Sequence, residues 1–275
     1  MRSAGVIGIL MLAAVPGSAA AAPVVDPVSV SRFVTVAAGD TRTVSLTCPD
    51  TAVALHAAAT SEPGTDSIPS SNPQRWTFRF ANDSDGPRRA GGVLRCVRLR
   101  VPADVGDVAL VVGTVRRPDV FVVAGATREV TLTCERGMVA TGWGLERGDA
   151  GRAIAVAAAS PIRRGFSFVL ENTGNVGGSA TPRIRCLERR EQATGGKTHS
   201  FRTRLATFED DGNVARHSCR RREYSVATGV SLDPAGDLAL DRATPRRERG
   251  GLWRFSGDGS ATTSLICLAR NTRFR

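Results

Sequence analysis

The stretch Val44-Ser45-Leu46-Thr47-Cys48 alternates apolar and polar residues, ends in cysteine, and returns as Val130-Thr131-Leu132-Thr133-Cys134. Alternation with period two is the pattern of a half-buried strand, because successive side chains point to opposite faces. Val44, Leu46 and Cys48 therefore share the inner face. A second strand follows in each copy: Trp76-Thr-Phe78-Arg-Phe80-Ala-Asn82 answers Phe166-Ser-Phe168-Val-Leu170-Glu-Asn172. Each copy then closes on a second cysteine, Cys96 or Cys186, and Ile184 and Cys186 alternate with Arg183 and Arg185.

A looser third copy runs from Cys219 to Cys267. Its Val226-Ala227-Thr228-Gly229 echoes Val139-Ala140-Thr141-Gly142, and its Trp253-Arg-Phe255 takes the place of the earlier aromatic strands. On that alignment Trp143 has Ala57 and Val230 as counterparts. Turn clusters such as Asn82-Asp83-Ser84-Asp85-Gly86 separate the strands, and no long stretch keeps helical spacing. The expectation is an all-β chain of three tandem, small antiparallel β-sandwich or barrel domains of immunoglobulin-like size. Their bounds are 22–104, 105–192 and 193–275, with joints at 102–118 and 190–204. The shared aromatic lies too far past the first cysteine for true immunoglobulin topology.

Residues 1–21 read as a cleaved secretory signal. Arg2 precedes an apolar run over residues 5–15, Pro16-Gly17-Ser18 breaks it, and Ala19-Ala20-Ala21 offers a cleavage site. No later segment has the roughly 18 apolar residues of a membrane helix. Export to an oxidising compartment makes an even number of cysteines a disulfide framework. Duplication favours the pairing that each copy makes alone, Cys48 with Cys96, Cys134 with Cys186 and Cys219 with Cys267. Each closed loop of about 50 residues is worth roughly 4 kcal/mol in the chain-entropy model. Zinc does not fit these spacings, which lack the short ligand pairs of a zinc site.

The net charge is +11, and a single lysine, Lys197, accompanies arginine in all other basic positions. That ratio is the compositional mark of a GC-rich bacterial genome. The excess is spread over the three copies and the second joint, which is the pattern of a solvated surface. Arg220-Arg221-Arg222 and Arg246-Arg247-Glu-Arg249 are the densest basic spots. No base-stacking aromatics are interleaved with them, which argues against nucleic acid and leaves anionic polymers as the alternative partner. Trp143, between two glycines, is either a packing residue across a joint or the centre of a contact face.

Catalytic groups are scarce. His56 sits in an apolar strand, where a local partner is expected, and Gly229-Val-Ser231-Leu-Asp233 and Gly165-Phe-Ser167-Phe-Val169 lack the closing glycine of a nucleophile elbow. Asp83 and Asp85 form half of a calcium loop without its first carboxylate. Asn82-Asp83-Ser84 fits the N-glycosylation pattern. An enzyme would need a cleft between domains gathering Glu146, Asp149, His199 or His217. The reading is a non-enzymatic protein without cofactor or metal, whose partner is an extracellular ligand or an envelope component.

The run Leu46-Thr47-Cys48-Pro49, then Val53-Ala54, Ser71-Asn72-Pro73, Trp76, Asn82 and Cys96 resembles a cysteine-paired repeat of secreted proteins from actinobacteria and related bacteria. The resemblance implies export and a β architecture. It implies no activity and no site.

Overall fold

The computed structural model describes residues 24–59, 65–100, 108–148, 151–192, 198–211, 213–232, 239–246, 250–269 and 273–274. The expected signal segment and its cleavage site lie outside them. All regular structure among these residues is β-strand, and every strand pairing is antiparallel.

The first copy runs through β1 (Val24–Val36), β2 (Thr41–Thr47), β3 (Val53–Ala59), β4 (Thr65–Pro69), β5 (Arg75–Ala81) and β6 (Arg88–Arg100). Its strands form two sheets, β1-β6-β3 and β2-β5-β4. Val44, Leu46, Trp76, Phe78 and Phe80 fill the space between the sheets together with Cys48 and Cys96. The alternation read from the sequence is thus the alternation between core and surface. The first strand pairs with the last, whereas an immunoglobulin domain places its first strand beside the second.

The same order recurs twice. In the second copy β7 (Val112–Arg116) and β8 (Val120–Val122) share the place of the first strand, followed by β9 (Thr127–Thr133), β10 (Met138–Arg147), β11 (Ile154–Ile162), β12 (Gly165–Asn172) and β13 (Gly178–Glu188). Its sheets are β10-β13-β7, with β8 also on β13, and β9-β12-β11. The third copy contains β16 (Thr203–Asp210), β17 (Val214–Ser218), β18 (Glu223–Leu232), β19 (Ala239–Arg246), β20 (Gly250–Ser256) and β21 (Ala261–Ala269), paired as β16-β21-β18 and β17-β20-β19. Disulfides Cys48–Cys96, Cys134–Cys186 and Cys219–Cys267 tie the two sheets of each copy, with Cα separations of 5.7, 5.8 and 5.7 Å.

Both expected joints carry more structure than a linker. Within 102–118, β7 pairs with β13 from Val112↔Leu187 to Arg116↔Arg183. Within 190–204, β14 (Arg190–Gln192) and β15 (Thr198–Ser200) pair with each other, and β15 also pairs with β22 (Arg273–Phe274) near the chain end. These strands are too short for a visible period. Pairing with distant partners, not local pattern, makes them strands.

The third copy is also registered differently from the motif alignment. The residue opposite the one after the second cysteine is Val53 in the first copy, Val139 in the second and Tyr224 in the third. Tyr224, not Val226, is therefore the counterpart of Val139, and Trp143 corresponds to Ala57 and Thr228. Trp253 likewise stands opposite Ala215, as Phe78 stands opposite Val44, while Gly251 occupies the place of Trp76 and Phe166. A slip of two residues keeps every side chain on its face, so an alternating pattern cannot detect it.

The copies close into a ring. The third strand of each packs on the fourth strand of the preceding one, β10 on β4, β18 on β11 and β3 on β19. Strand β18 pairs directly with β11 through Ala158↔Ser231 and Ala159↔Val230, fusing two sheets into one of six strands. Gly144 and Gly229 are equivalent, and both sit on backbone: a Cβ at Gly144 would lie 1.9 Å from the Ser67 carbonyl, and one at Gly229 would lie 2.7 Å from that of Ala159. Pro69 and Pro161 lie against these glycines, opposite Trp76 and Phe166, and Pro245 holds the same register position opposite Gly251. Head-to-tail contacts that return to their start make a closed ring instead of an open string. Val53, Leu55, Ile184, Val226 and Ile266 meet in one buried cluster that draws on all three copies.

Candidate functional site

Each seam of the ring is sealed in its own way, and the residues singled out in the sequence divide among them. Trp143 on β10 is half-buried against the central cluster, edge-on to Phe168 with ring centroids 6.0 Å apart. Its Nε1 donates to the carbonyl oxygen of Thr228, its counterpart in the third copy, at 2.8 Å. The side chain thus spans the seam between copies two and three. Trp143→Ala should cost about 2 kcal/mol, below the cost of a fully buried tryptophan, and speed proteolysis within residues 190–204. Unchanged melting and cleavage would remove Trp143 from the seam.

Between copies one and two the seal is ionic. Arg147 Nε donates to Asp66 Oδ1 at 2.7 Å, and its Nη1 to the Ile154 carbonyl at 3.3 Å. Burial pushes the Asp66 carboxyl above its usual range, against the opposing pull of Arg147. Asp66, Arg79, Ala81, Asp83, Arg147, Gly148 and Arg152 line a cleft of about 30 Å³, room for little beyond a water molecule. Arg152 pairs there with Asp83 at 3.4 Å, so the half calcium loop faces an arginine.

Two buried arginines hold the copies by their carbonyls. Arg185, fully buried, donates from Nη2 to the Arg75 carbonyl at 3.1 Å and lies over the Trp76 ring, 5.6 Å from its centroid. Burial lowers its pKa to about 10. Arg95, its equivalent in the first copy, donates to the Ser225 carbonyl at 3.2 Å and the Gly250 carbonyl at 3.5 Å in the third. Arg185 reads as a surface alternate of a strand in the sequence, because the face on which it and Arg95 lie is covered only by the preceding copy in the ring.

His56 is buried at the same junction. Its partner is not local: Nε2 lies 3.3 Å from Thr228 Oγ1, and Nδ1 has no partner among the described residues. Burial first, and then the charge of Arg95, lowers its pKa to about 3. Glu146 pairs with Arg183, and His217 pairs with Asp210 at 2.7 Å beneath a stacked Phe208. Thr263 donates to the same Asp210 at 2.6 Å, so the hydroxyl meets the carboxylate and not the imidazole, unlike a nucleophile and its base. Asp149 and the His199 side chain lie outside the described residues. Ser167 and Ser231 stand within strands β12 and β18, not on a turn. The Asn82 amide donates to the carbonyls of Val36, Ala37 and Gly86, and Asn172 repeats this with Val122 and Val176. The glycosylation pattern therefore falls on a buried turn clamp.

Arg220, Arg221 and Arg222 are exposed in the turn between β17 and β18. Ser218 and Arg246 both stand opposite Gly250, so that turn lies at the same end of sheet β17-β20-β19 as the backbone of Arg246. Arg247 and Arg249 lie outside the described residues, as does the Arg246 side chain. The chain matches no family model and no curated protein.

Proposed function

We propose that this is a secreted, non-enzymatic binding protein, or a structural component of the cell envelope, in which three disulfide-stapled β domains form a rigid ring. The observation that carries this reading is the combination of one disulfide inside each copy with seams closed by Arg147–Asp66, Trp143–Thr228 and Arg95–Gly250. Such a frame fixes its exposed turns relative to one another, which lowers the ordering cost of binding. The disulfides are compatible with an extracytoplasmic location. No helix among the described residues is long and apolar enough to cross a membrane. Composition and the resemblance to secreted actinobacterial repeats support the same setting.

The full chain, expressed in an exporting bacterial host, should be recovered outside the cytoplasm, cleaved after Ala21, with no free thiol and bound to isolated envelope fractions. Cytoplasmic retention with reduced cysteines would overturn export. Exported protein with no affinity for envelope fractions would overturn the envelope role.

A further inference from the structure

We infer that the end of the ring bearing the turns β2–β3, β9–β10 and β17–β18 is a docking face for a linear acidic polysaccharide. The inference rests on the binding role proposed above and names its ligand class. Antiparallel strands in chain order send alternate turns to opposite ends of each sandwich. The second-to-third and fourth-to-fifth turns share one end, and the first-to-second and fifth-to-sixth turns share the other. The clamp of Asn82 on Val36 and Ala37 shows the latter pair meeting.

Equivalent ends of the copies face the same side of the ring. Arg147 to Asp66 and Arg152 to Asp83 join one set of ends, and Arg185 to the Arg75 carbonyl joins the other. The antiparallel pairing of β11 with β18 runs the hairpin after Ile162 alongside the residues that follow Arg222. Arg136, Arg163, Arg164, Arg220, Arg221 and Arg222 are all exposed at this one end, with Asp50 and Glu135 as exposed acids. At the opposite end the turns expose Asp40, Asp83, Asp85, Asp211 and Asp258 beside the exposed arginines Arg88, Arg89 and Arg152. The excess of positive charge, spread along the sequence, is therefore gathered at one end in space.

One exposed arginine paired with one anion is worth at most about 1 kcal/mol, so this face discriminates only in favour of a ligand that engages several guanidinium groups at once. That selects a polymer over a small anion. Forked guanidinium groups suit carboxylate and sulfate oxygens. The described turns at this end, Pro49 to Ala52, Ser70 to Gln74, Glu135 to Gly137, Arg163 to Arg164 and Arg220 to Arg222, contain no aromatic ring on which a base would stack. An acidic polysaccharide fits better than a nucleic acid.

Fluorescence anisotropy with labelled polygalacturonate and labelled dextran sulfate, each titrated with the intact chain over a range of salt, tests this. Binding should weaken steeply with salt, and R220S/R221S/R222S or R136S/R163S/R164S should each weaken it at least about tenfold while lowering the salt slope by about two. The control R32S/R42S/R254S removes the same charge from strand surfaces and should change affinity less than about twofold. All three sets should melt with the wild type, since the residues are exposed. Preference for one polymer identifies carboxylate or sulfate as the recognised group.

Equal loss in the control would make the attraction diffuse, and binding of neither polymer at low salt would remove the face. Tighter binding of a single-stranded oligonucleotide than of either polysaccharide would replace the ligand class. If the wild type still partitions to envelope fractions while neither polymer binds, only this inference fails and the binding role stands.

Discussion

Trp76→Ala should destabilise the protein by about 3–5 kcal/mol in chemical denaturation, enough to unfold a marginal domain. The ring is fully buried in the cluster that contains Cys48 and Cys96, and its Nε1 donates to Ser67 Oγ at 2.9 Å. It also carries the Arg185 guanidinium of the second copy on its face. Truncation leaves a cavity, orphans a hydroxyl and takes from a buried cation one of the surfaces that offset its desolvation. Trp76→Phe keeps the ring face and loses the donor, so its cost should be nearer 1–2 kcal/mol. A loss below about 1 kcal/mol for Trp76→Ala would mean that the indole is not part of the core.

Acid should loosen the ring through His56. Its folded pKa of about 3 lies below the ordinary 6.5, so between these values the unfolded chain holds a proton that the folded chain does not. Stability therefore falls as pH drops from about 6.5, by up to ~1.4 kcal/mol per unit and about 4–5 kcal/mol in all by pH 3. Above 6.5 both states are neutral and the effect is flat. Other acids titrate in the same window, and burial pushes Glu191 up to about 7, which acts in the opposite direction. The measurement is thus the difference in unfolding free energy between the wild type and His56→Gln as a function of pH. A difference independent of pH would show that His56 does not lie desolvated between β3 and β18.

The strands of the core were legible because their signal is local. Trp76-Thr-Phe78-Arg-Phe80 alternates, and burial follows the same alternation. The role of Asn82 was not legible as a clamp, although its recurrence as Asn172 marked it, because its partners Val36 and Ala37 are distant in sequence. Arg95 and Arg185 carried no signal at all. An arginine alternating with apolar residues reads as solvent-facing until another domain covers its face. His56 gave half a signal: its apolar surroundings declared burial, while its partner Thr228 lay in another copy.

By itself the sequence determined the all-β class, because alternation at period two dictates which side chains a pleated strand turns inward. Tertiary structure alone decided the register of the third copy, the closure of the three copies into a ring and the gathering of arginine-bearing turns at one end. A two-residue slip leaves the hydrophobic pattern intact, so only strand pairing fixes it. Two of the three seams depend on backbone meeting backbone at Gly144 and Gly229, and the gathering of arginine turns depends on which end of a strand each turn occupies. Neither quantity exists along the chain. Both arise only when strands distant in sequence are held side by side.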